Sequence, residues 1–257
     1  MRILLCLLLV GVTLFSANDL GAMTAQEILD EVVKRQVGNS FRVGLSVKTF
    51  KGKKRVSNHF MWLMGKAGKE VMTIFLEFEE PKESKGLRFL FQGKPGEQPK
   101  AFMYLPSTGT TLPLGVDNKE ADIGGTGLTM EDIRALVPEK EGELTLLADK
   151  KVSGEDCYVI RARFPDRKLE RQLWISKENF IIMKSQQLGP DGKVKRTFRV
   201  AKLFTAEDGK LYPREEDITV PKKKMRIKLR QDNATFGILI PKELTAPETF
   251  GKFKWKL

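Results

Sequence analysis

Most of the chain after residue 40 alternates between apolar and polar or small side chains with a period of two. The first clear run places Phe41, Val43, Leu45 and Val47 on alternate positions. Successive side chains of a β-strand point to opposite faces, so the pattern predicts a strand with one apolar face. About ten or eleven such strands follow one another, separated by turn residues and without strand–helix alternation. The sequence therefore predicts a mainly β (α+β) fold with one large antiparallel sheet that curls, and helices on one side of it.

The segment over residues 24–36 carries the signals of an amphipathic helix. Thr24 and Glu27 have the spacing of a capping box, and the following apolar residues share one face. Acidic and basic residues are mixed on the other face, which is atypical of a membrane-surface helix. We therefore expect this helix to pack on the sheet.

Residues 1–17 have the pattern of a secretory signal. Arg2 precedes an apolar run over residues 3–15 that is too short to span a membrane, and Ser16 and Ala17 are small residues suited to cleavage. The sequence therefore predicts an exported protein. Because Cys6 comes too early in the apolar run, we do not expect a lipidated N-terminus.

A formal net charge of +12 favours acidic partners. Export disfavours nucleic acid, which leaves anionic lipid headgroups or an acidic protein. Basic residues alternate with apolar ones on late strands and predict one basic outer surface: Lys193, Lys195, Arg199, Lys224, Arg226, Lys228 and Arg230. A solvated strand face is the simpler interpretation of this pattern, and a docking surface is the alternative.

The stretch over residues 85–137 combines two apolar strands, a Gly-rich passage and a helix start. Thr129 lies three residues before Asp132, a capping-box spacing that predicts a helix over about residues 130–137. Residues 106–127 show neither a strand nor a helix period. Connections of this length in compact domains are typical of functional or mobile loops.

The order of motifs in this stretch resembles the periplasmic outer-membrane lipoprotein-sorting proteins related to the LolA carrier. The matching segments are Lys85-Gly86 before an apolar strand, Tyr104-Leu105-Pro106 at the end of the next, and residues 125–133 at the turn into the helix. Leu128 stands where the family has an aromatic residue. The resemblance extends over about residues 24–257, which we expect to form one domain.

This resemblance implies a strongly curved, unclosed β-barrel whose opening is covered by helices. It also implies a periplasmic, non-enzymatic binder or carrier of acylated molecules. The best-known carrier of the family fastens its lid with an arginine, and the resemblance does not assign that role to a particular arginine of this sequence.

Two short helices are too small to fill the hollow of a sheet this wide, because protein interiors are densely packed. Bulky and adaptable side chains on the early strands and the second helix are predicted to bind lipid there: Phe60, Trp62, Met64, Met72, Ile74, Leu76, Phe89, Phe91, Met103 and Ile133. The predicted lid comprises Gly125, Gly127, Leu128 and Met130. An ordinary packed core is the competing interpretation of the same residues.

The leading hypothesis is a monomeric periplasmic carrier that holds acyl chains of a lipoprotein or lipid for transfer toward the outer membrane. Its donor or acceptor would be a membrane surface or a membrane protein. The alternative is a periplasmic protein-interaction or sensor domain on the same fold without lipid cargo.

Catalysis has little support in the sequence. His59 is the single histidine, metal-ligand spacings and nucleophile motifs are absent, and Cys157 lies in a strand pattern typical of a core position. We therefore expect no cofactor, no metal and no enzyme activity.

Overall fold

The computed structural model describes residues 23–36, 40–67, 71–94, 99–115, 121–134, 142–165, 168–207 and 209–253. The predicted signal over residues 1–17 and the predicted end of the second helix at residues 135–138 lie outside the described residues.

The described chain contains two α-helices and thirteen β-strands. The helices are α1 (Ala25–Gln36) and α2 (Met130–Arg134). The strands are β1 (Ser40–Lys51), β2 (Lys54–Ala67), β3 (Met72–Glu80), β4 (Arg88–Gly93), β5 (Lys100–Leu105), β6 (Thr110–Leu114), β7 (Glu143–Val152), β8 (Glu155–Phe164), β9 (Leu169–Ser176), β10 (Ile182–Leu188), β11 (Val194–Thr205), β12 (Leu211–Val220) and β13 (Met225–Phe236).

All thirteen strands belong to one antiparallel sheet in the order β6-β5-β4-β3-β2-β1-β13-β12-β11-β10-β9-β8-β7. Two meanders, β1–β6 and β7–β13, therefore meet at a seam where the first strand pairs with the last, for example Phe41 with Phe236. The sheet is curved and not closed, and β6 and β7 form its two edges. The prediction of one large antiparallel sheet is confirmed. The connection from β6 to β7 leads from one edge of the sheet to the other, and it contains α2.

Three strands were missed by the periodicity. β6 and β7 are edge strands whose residues are mostly exposed, so they need no regular apolar face. β12 contains Pro213 beside a register shift, and its Glu216 faces inward where the pattern requires an apolar residue. The expectation that residues 106–127 contain no strand is therefore wrong for β6.

The capping boxes form as expected. At α1 the Glu27 N–H donates to Thr24 Oγ1 at 3.2 Å, and the Thr24 N–H donates to Glu27 Oε2 at 2.7 Å. The apolar face of α1 packs on β8 and β9, where Ile28, Leu29 and Val32 contact Ile160, Leu173 and Ile175. Packing on the sheet is therefore confirmed for this helix.

The outer face of β2–β5 is covered by the C-terminal segment, residues 238–253. Phe250 is fully buried there among outward side chains of the strands, and its ring meets that of Phe75 edge to face at 6.3 Å. Arg88 holds the segment in place. Its guanidinium pairs with Glu77 at 2.7 Å and donates to the carbonyl oxygens of Phe250, Gly251 and Phe253 at 2.7 to 3.0 Å.

Cys157 lies in the core between β7 and β9 and is fully buried. Burial raises the pKa of its thiol to about 11, so the thiolate needed for nucleophilic chemistry is scarce at neutral pH. The interpretation of Cys157 as a core residue is confirmed.

Candidate ligand-binding cavity

A cavity of about 350 Å³ lies between the concave face of the sheet and the two helices. Val43, Leu63 and Ile74 line it from the sheet, Val32 from α1 and Ile133 from α2. Pockets for small ligands typically have volumes of about 300 to 1,000 Å³. The cavity is therefore large enough for one apolar chain or a small amphiphile.

The predicted lipid-binding residues divide into three groups. Four line the cavity: Met72, Ile74, Leu76 and Ile133. Phe89, Phe91 and Met103 lie on the same face of the sheet and pack in the core cluster that continues from the cavity wall. Together these seven residues form a continuous apolar surface on the inner face.

The prediction that Phe60, Trp62 and Met64 belong to this apolar surface is wrong. Trp62 and Met64 pack on the opposite face, in the cluster under the C-terminal segment, and the ring of Phe60 meets that of Trp62 at 5.5 Å. Both faces of β2 carry large apolar residues, and the inner one is defined by Met61 and Leu63. Periodicity separates two faces but does not identify which one is concave.

One part of the cavity wall is polar. Ser185, Gln187, Glu216 and Gln231 line it from β10, β12 and β13. Gln231 Nε2 donates to Glu216 Oε2 at 3.3 Å. Burial raises the pKa of Glu216 to about 7, and it outweighs the opposing effect of the Gln231 hydrogen bond.

The loop before α2 is a tight, hydrogen-bonded turn. Asp122 and Thr129 form a β-bridge, and the Gly127 N–H donates to Asp122 Oδ1 at 2.8 Å. The glycines of the predicted lid, Gly125 and Gly127, have φ values of +81° and +77°, which favour glycine. The neighbouring Gly124 is required for close packing, because a Cβ there would lie 2.6 Å from the ring of Phe78. Leu128 and Met130 both contact the core cluster, and Leu128 also lines the cavity.

Two arginines of the meander β7–β13 hold α2 in place through ion pairs. Arg171 on β9 pairs with Glu131, and Arg196 on β11 pairs with Asp132 and donates to the Gly127 carbonyl oxygen at 3.0 Å. Side-chain exposure of the four charged residues is between 9% and 16%, so solvent screens these pairs weakly. Burial raises the pKa of Asp132 even though Arg196 and Thr129 act to lower it.

The sequence places both arginines on strand faces that also carry apolar residues, but alternation alone does not show why. Arg196 occupies a position of β11 that shares a face with Phe198, and Arg171 shares a face of β9 with Leu173. An arginine on an apolar strand face needs a buried partner. Only the fold shows that the partners are the two acidic residues at the start of α2.

All seven residues of the predicted basic surface are exposed: Lys193, Lys195, Arg199, Lys224, Arg226, Lys228 and Arg230. The surface is not uniformly basic, because acidic residues of β12 and of β13 lie among the basic ones. Asp217 pairs with Arg226 at 2.8 Å, and Asp232 pairs with Arg230 at 3.1 Å. The expectation of a basic outer face is therefore corrected to one of mixed charge.

Comparison with solved structures identifies the fold. A putative outer membrane lipoprotein-sorting protein domain from Vibrio parahaemolyticus superimposes with a TM-score of 0.79 at 17% identity, covering 89% of this chain and 100% of that one. A DUF1329 family protein from Desulfovibrio piger gives a TM-score of 0.78 at 14% identity, with 86% and 95% covered. A LolA superfamily protein from Nitrosomonas europaea gives 0.65 at 19% identity, with 88% and 98% covered.

A family model described as "Uncharacterized protein" matches residues 71–248, more than half of the chain. None of the curated proteins compared with the chain matches it. Among the described residues, no helix is long and apolar enough to cross a membrane. The chain shares its fold with the lipoprotein-sorting protein domain and the LolA superfamily protein named above, as the motifs of residues 85–133 predicted.

Proposed function

We propose that this chain, which belongs to the family whose model matches residues 71–248, is a non-enzymatic periplasmic carrier of acyl chains. The cargo is a lipid or the lipid moiety of a lipoprotein, held for transfer toward the outer membrane. The observation that carries the proposal is the cavity of about 350 Å³ between the concave face and the helices.

The chemistry of the cavity wall supports an apolar cargo. Inward side chains of β1–β3 and the helices are mainly aliphatic, and Met72 adds an adaptable surface. Burying an acyl chain contributes about 0.8 kcal/mol per methylene. A chain of ordinary length therefore gains enough free energy to be held without a covalent bond.

The helix α2 and its preceding loop act as the lid in this proposal. They bridge the two meanders, since the loop packs beside Phe78 on β3 and α2 is held by Arg171 and Arg196 on β9 and β11. Release of these ion pairs frees the lid from one meander while the loop remains on the other. Cargo then enters between α2 and the inner face.

The exposed basic residues of β11 and β13 provide the contact with an acidic donor or acceptor, such as an anionic membrane surface. Salt screens the attraction between exposed charges that lie more than about one Debye length apart. Binding to vesicles of phosphatidylglycerol is expected to fall as salt rises, and the Lys195→Glu, Lys228→Glu double variant is expected to weaken it. Binding that is unchanged by salt and by the variant argues against this surface.

The carrier function can be tested by a substitution that fills the cavity with a larger side chain. Ser185 is a small residue of the cavity wall, so Ser185→Trp places an indole in the space proposed for cargo. Thr145 is an exposed residue of the edge strand β7, so Thr145→Trp is a matched control. Binding of the uncharged fluorophore N-phenylnaphthylamine and the lipid that copurifies, measured by mass spectrometry, are expected to fall in Ser185→Trp alone. Unchanged binding in a folded Ser185→Trp protein contradicts the carrier function.

A further inference from the structure

We propose that Glu216 and Gln231 form a polar anchor within the cavity, which selects a cargo that carries an uncharged hydrogen-bond donor, such as a hydroxyl or an amide N–H, beside its apolar chain. This inference rests on the proposed function and names the class of amphiphile that the same cavity takes.

The anchor lies on adjacent strands of the inner face. Glu216 pairs across the sheet with Leu229, and Gln231 pairs with Leu45 on the other side of β13. All four side chains line the cavity. The two polar side chains therefore lie among leucines. Apolar residues at these two positions would make this part of the cavity wall continuously apolar.

Polar groups at such positions are costly unless they are satisfied. Glu216 accepts one hydrogen bond, from Gln231 at 3.3 Å, and within the described residues no salt bridge reaches it. Of the cationic residues of the cavity wall, Arg171 and Arg196 pair with acidic residues of α2. Arg35 of α1 donates to the carbonyl oxygen of Leu211, and Lys66 lines the wall from β2. The anchor thus keeps acceptor capacity facing the cavity.

The remaining acceptors define the ligand. One oxygen of Glu216 is engaged by Gln231, which leaves the second carboxyl oxygen and the Gln231 carbonyl oxygen for a ligand. When the carboxyl is ionised, both oxygens only accept hydrogen bonds, from a hydroxyl or an amide N–H. A protonated carboxyl also donates to an ester, so the ligands are compared above pH 7. An ester or a hydrocarbon supplies no donor and leaves buried acceptors unsatisfied, which costs affinity.

Neighbouring residues extend the polar part of the wall. Ser185 and Gln187 on β10 line the same cavity. They are uncharged and offer further donors and acceptors for a small neutral headgroup. The apolar side chains of β1–β3 then surround the chain of the same molecule. The cavity wall matches an amphiphile, with its polar group toward β10–β13 and its chain toward β1–β3.

The test compares two ligands that share one acyl chain. Monododecanoylglycerol carries two hydroxyl donors, and methyl dodecanoate carries none. Each displaces N-phenylnaphthylamine from the full-length protein in a fluorescence titration. We expect the glyceride to bind the native protein about tenfold more tightly, which corresponds to one hydrogen bond of about 1.4 kcal/mol.

Variants assign the preference to the anchor. Glu216→Leu is expected to lower the affinity for the glyceride, to raise that for the methyl ester and so to abolish the preference. Gln231→Leu is expected to reduce the preference, and Glu216→Gln, which keeps a carbonyl acceptor of the same shape, to retain most of it. Should Glu216→Leu fail to fold, the comparison of Gln231→Leu with Glu216→Gln decides.

Equal affinity of the native protein for both ligands overturns the inference while leaving the carrier function intact. The inference is also overturned if Glu216→Leu keeps the native preference for the glyceride. It is overturned likewise if Gln231→Leu and Glu216→Gln both keep that preference unreduced. If neither ligand displaces the fluorophore and the fluorophore itself does not bind, the carrier function fails and the inference fails with it.

Discussion

Both faces of strands β2–β5 carry large apolar residues, but the two faces are covered differently. On the outer face Trp62, Met64 and Leu90 are covered by Phe250 and the C-terminal segment. On the inner face of the same meander, side chains from β1–β3 line a cavity. An apolar strand face therefore indicates that the face is buried, but it does not indicate which part of the molecule covers it. A segment of the same chain covers the outer face, and the cavity leaves space at the inner one.

The largest expected effect comes from opening the covered face. Phe250→Ala removes a fully buried ring from a closed cluster and is expected to lower the free energy of unfolding by about 4 kcal/mol. Leu63→Ala on the inner face, where the side chain borders existing space, is expected to cost about 1 kcal/mol and to weaken fluorophore binding.

Urea unfolding of the two variants measures this difference. Phe250→Ala is expected to leave the affinity of the remaining folded protein for N-phenylnaphthylamine unchanged. Equal destabilisation by the two substitutions shows that the faces are packed alike and contradicts the comparison.

A somewhat smaller effect is expected from the ion pairs over the inner face. Arg196→Ala leaves Asp132 buried without its partner, and such losses cost about 3 kcal/mol. Hydrogen exchange is expected to accelerate most in residues 121–134. The Arg196→Met, Asp132→Asn double variant removes both charges, keeps an acceptor for the Thr129 hydrogen bonds and is expected to recover most of the stability. Equal loss in the single and double variants argues against the pair as the fastener of α2.

The smallest of the three effects concerns pH and the polar wall of the cavity. The pKa of Glu216 is raised to about 7 from an ordinary value near 4.5, so the folded protein retains this proton when the unfolded chain has lost it. Stability is therefore greatest below the unfolded pKa, falls as pH rises from about 4.5 to about 7 and then levels off. The total loss is about 2 kcal/mol, because the side chain is only half-buried.

Glu216→Gln removes the titrating group and is expected to flatten this decline between acidic and mildly basic pH. The raised pKa of Asp132 contributes a slope of the same sign that remains in the variant. Urea unfolding of both proteins across this range measures the difference. An identical pH dependence in the two proteins contradicts a protonated Glu216 in the native fold.

Local features of this structure could be predicted from the sequence, because they depend on residues that are close together in the chain. The capping boxes at Thr24 and Thr129 form as written, because they involve residues three positions apart. Strands with a clean alternation, such as β1 and β3, were also recognised. Edge strands and β12 were not, because exposure and the inward Glu216 remove the apolar period.

Long-range features could not be predicted in the same way. The assignment of Trp62 and Met64 to the wrong face, and the missed role of Arg171 and Arg196, have a common cause. Each depends on a partner more than 35 positions away, in the C-terminal segment or in α2. Alternation contains no record of such partners.

The seam between β1 and β13 also determines when the molecule can acquire its cavity. Each meander is joined by neighbouring hairpins and can form from nearby residues, whereas the seam brings together Phe41 and Phe236 across most of the chain. Contacts of such separation carry a large loop-closure entropy and slow folding. Because β13 is the last of the thirteen strands along the chain, the two meanders stay unjoined until it pairs with β1. The cavity is therefore complete only after the seam has closed.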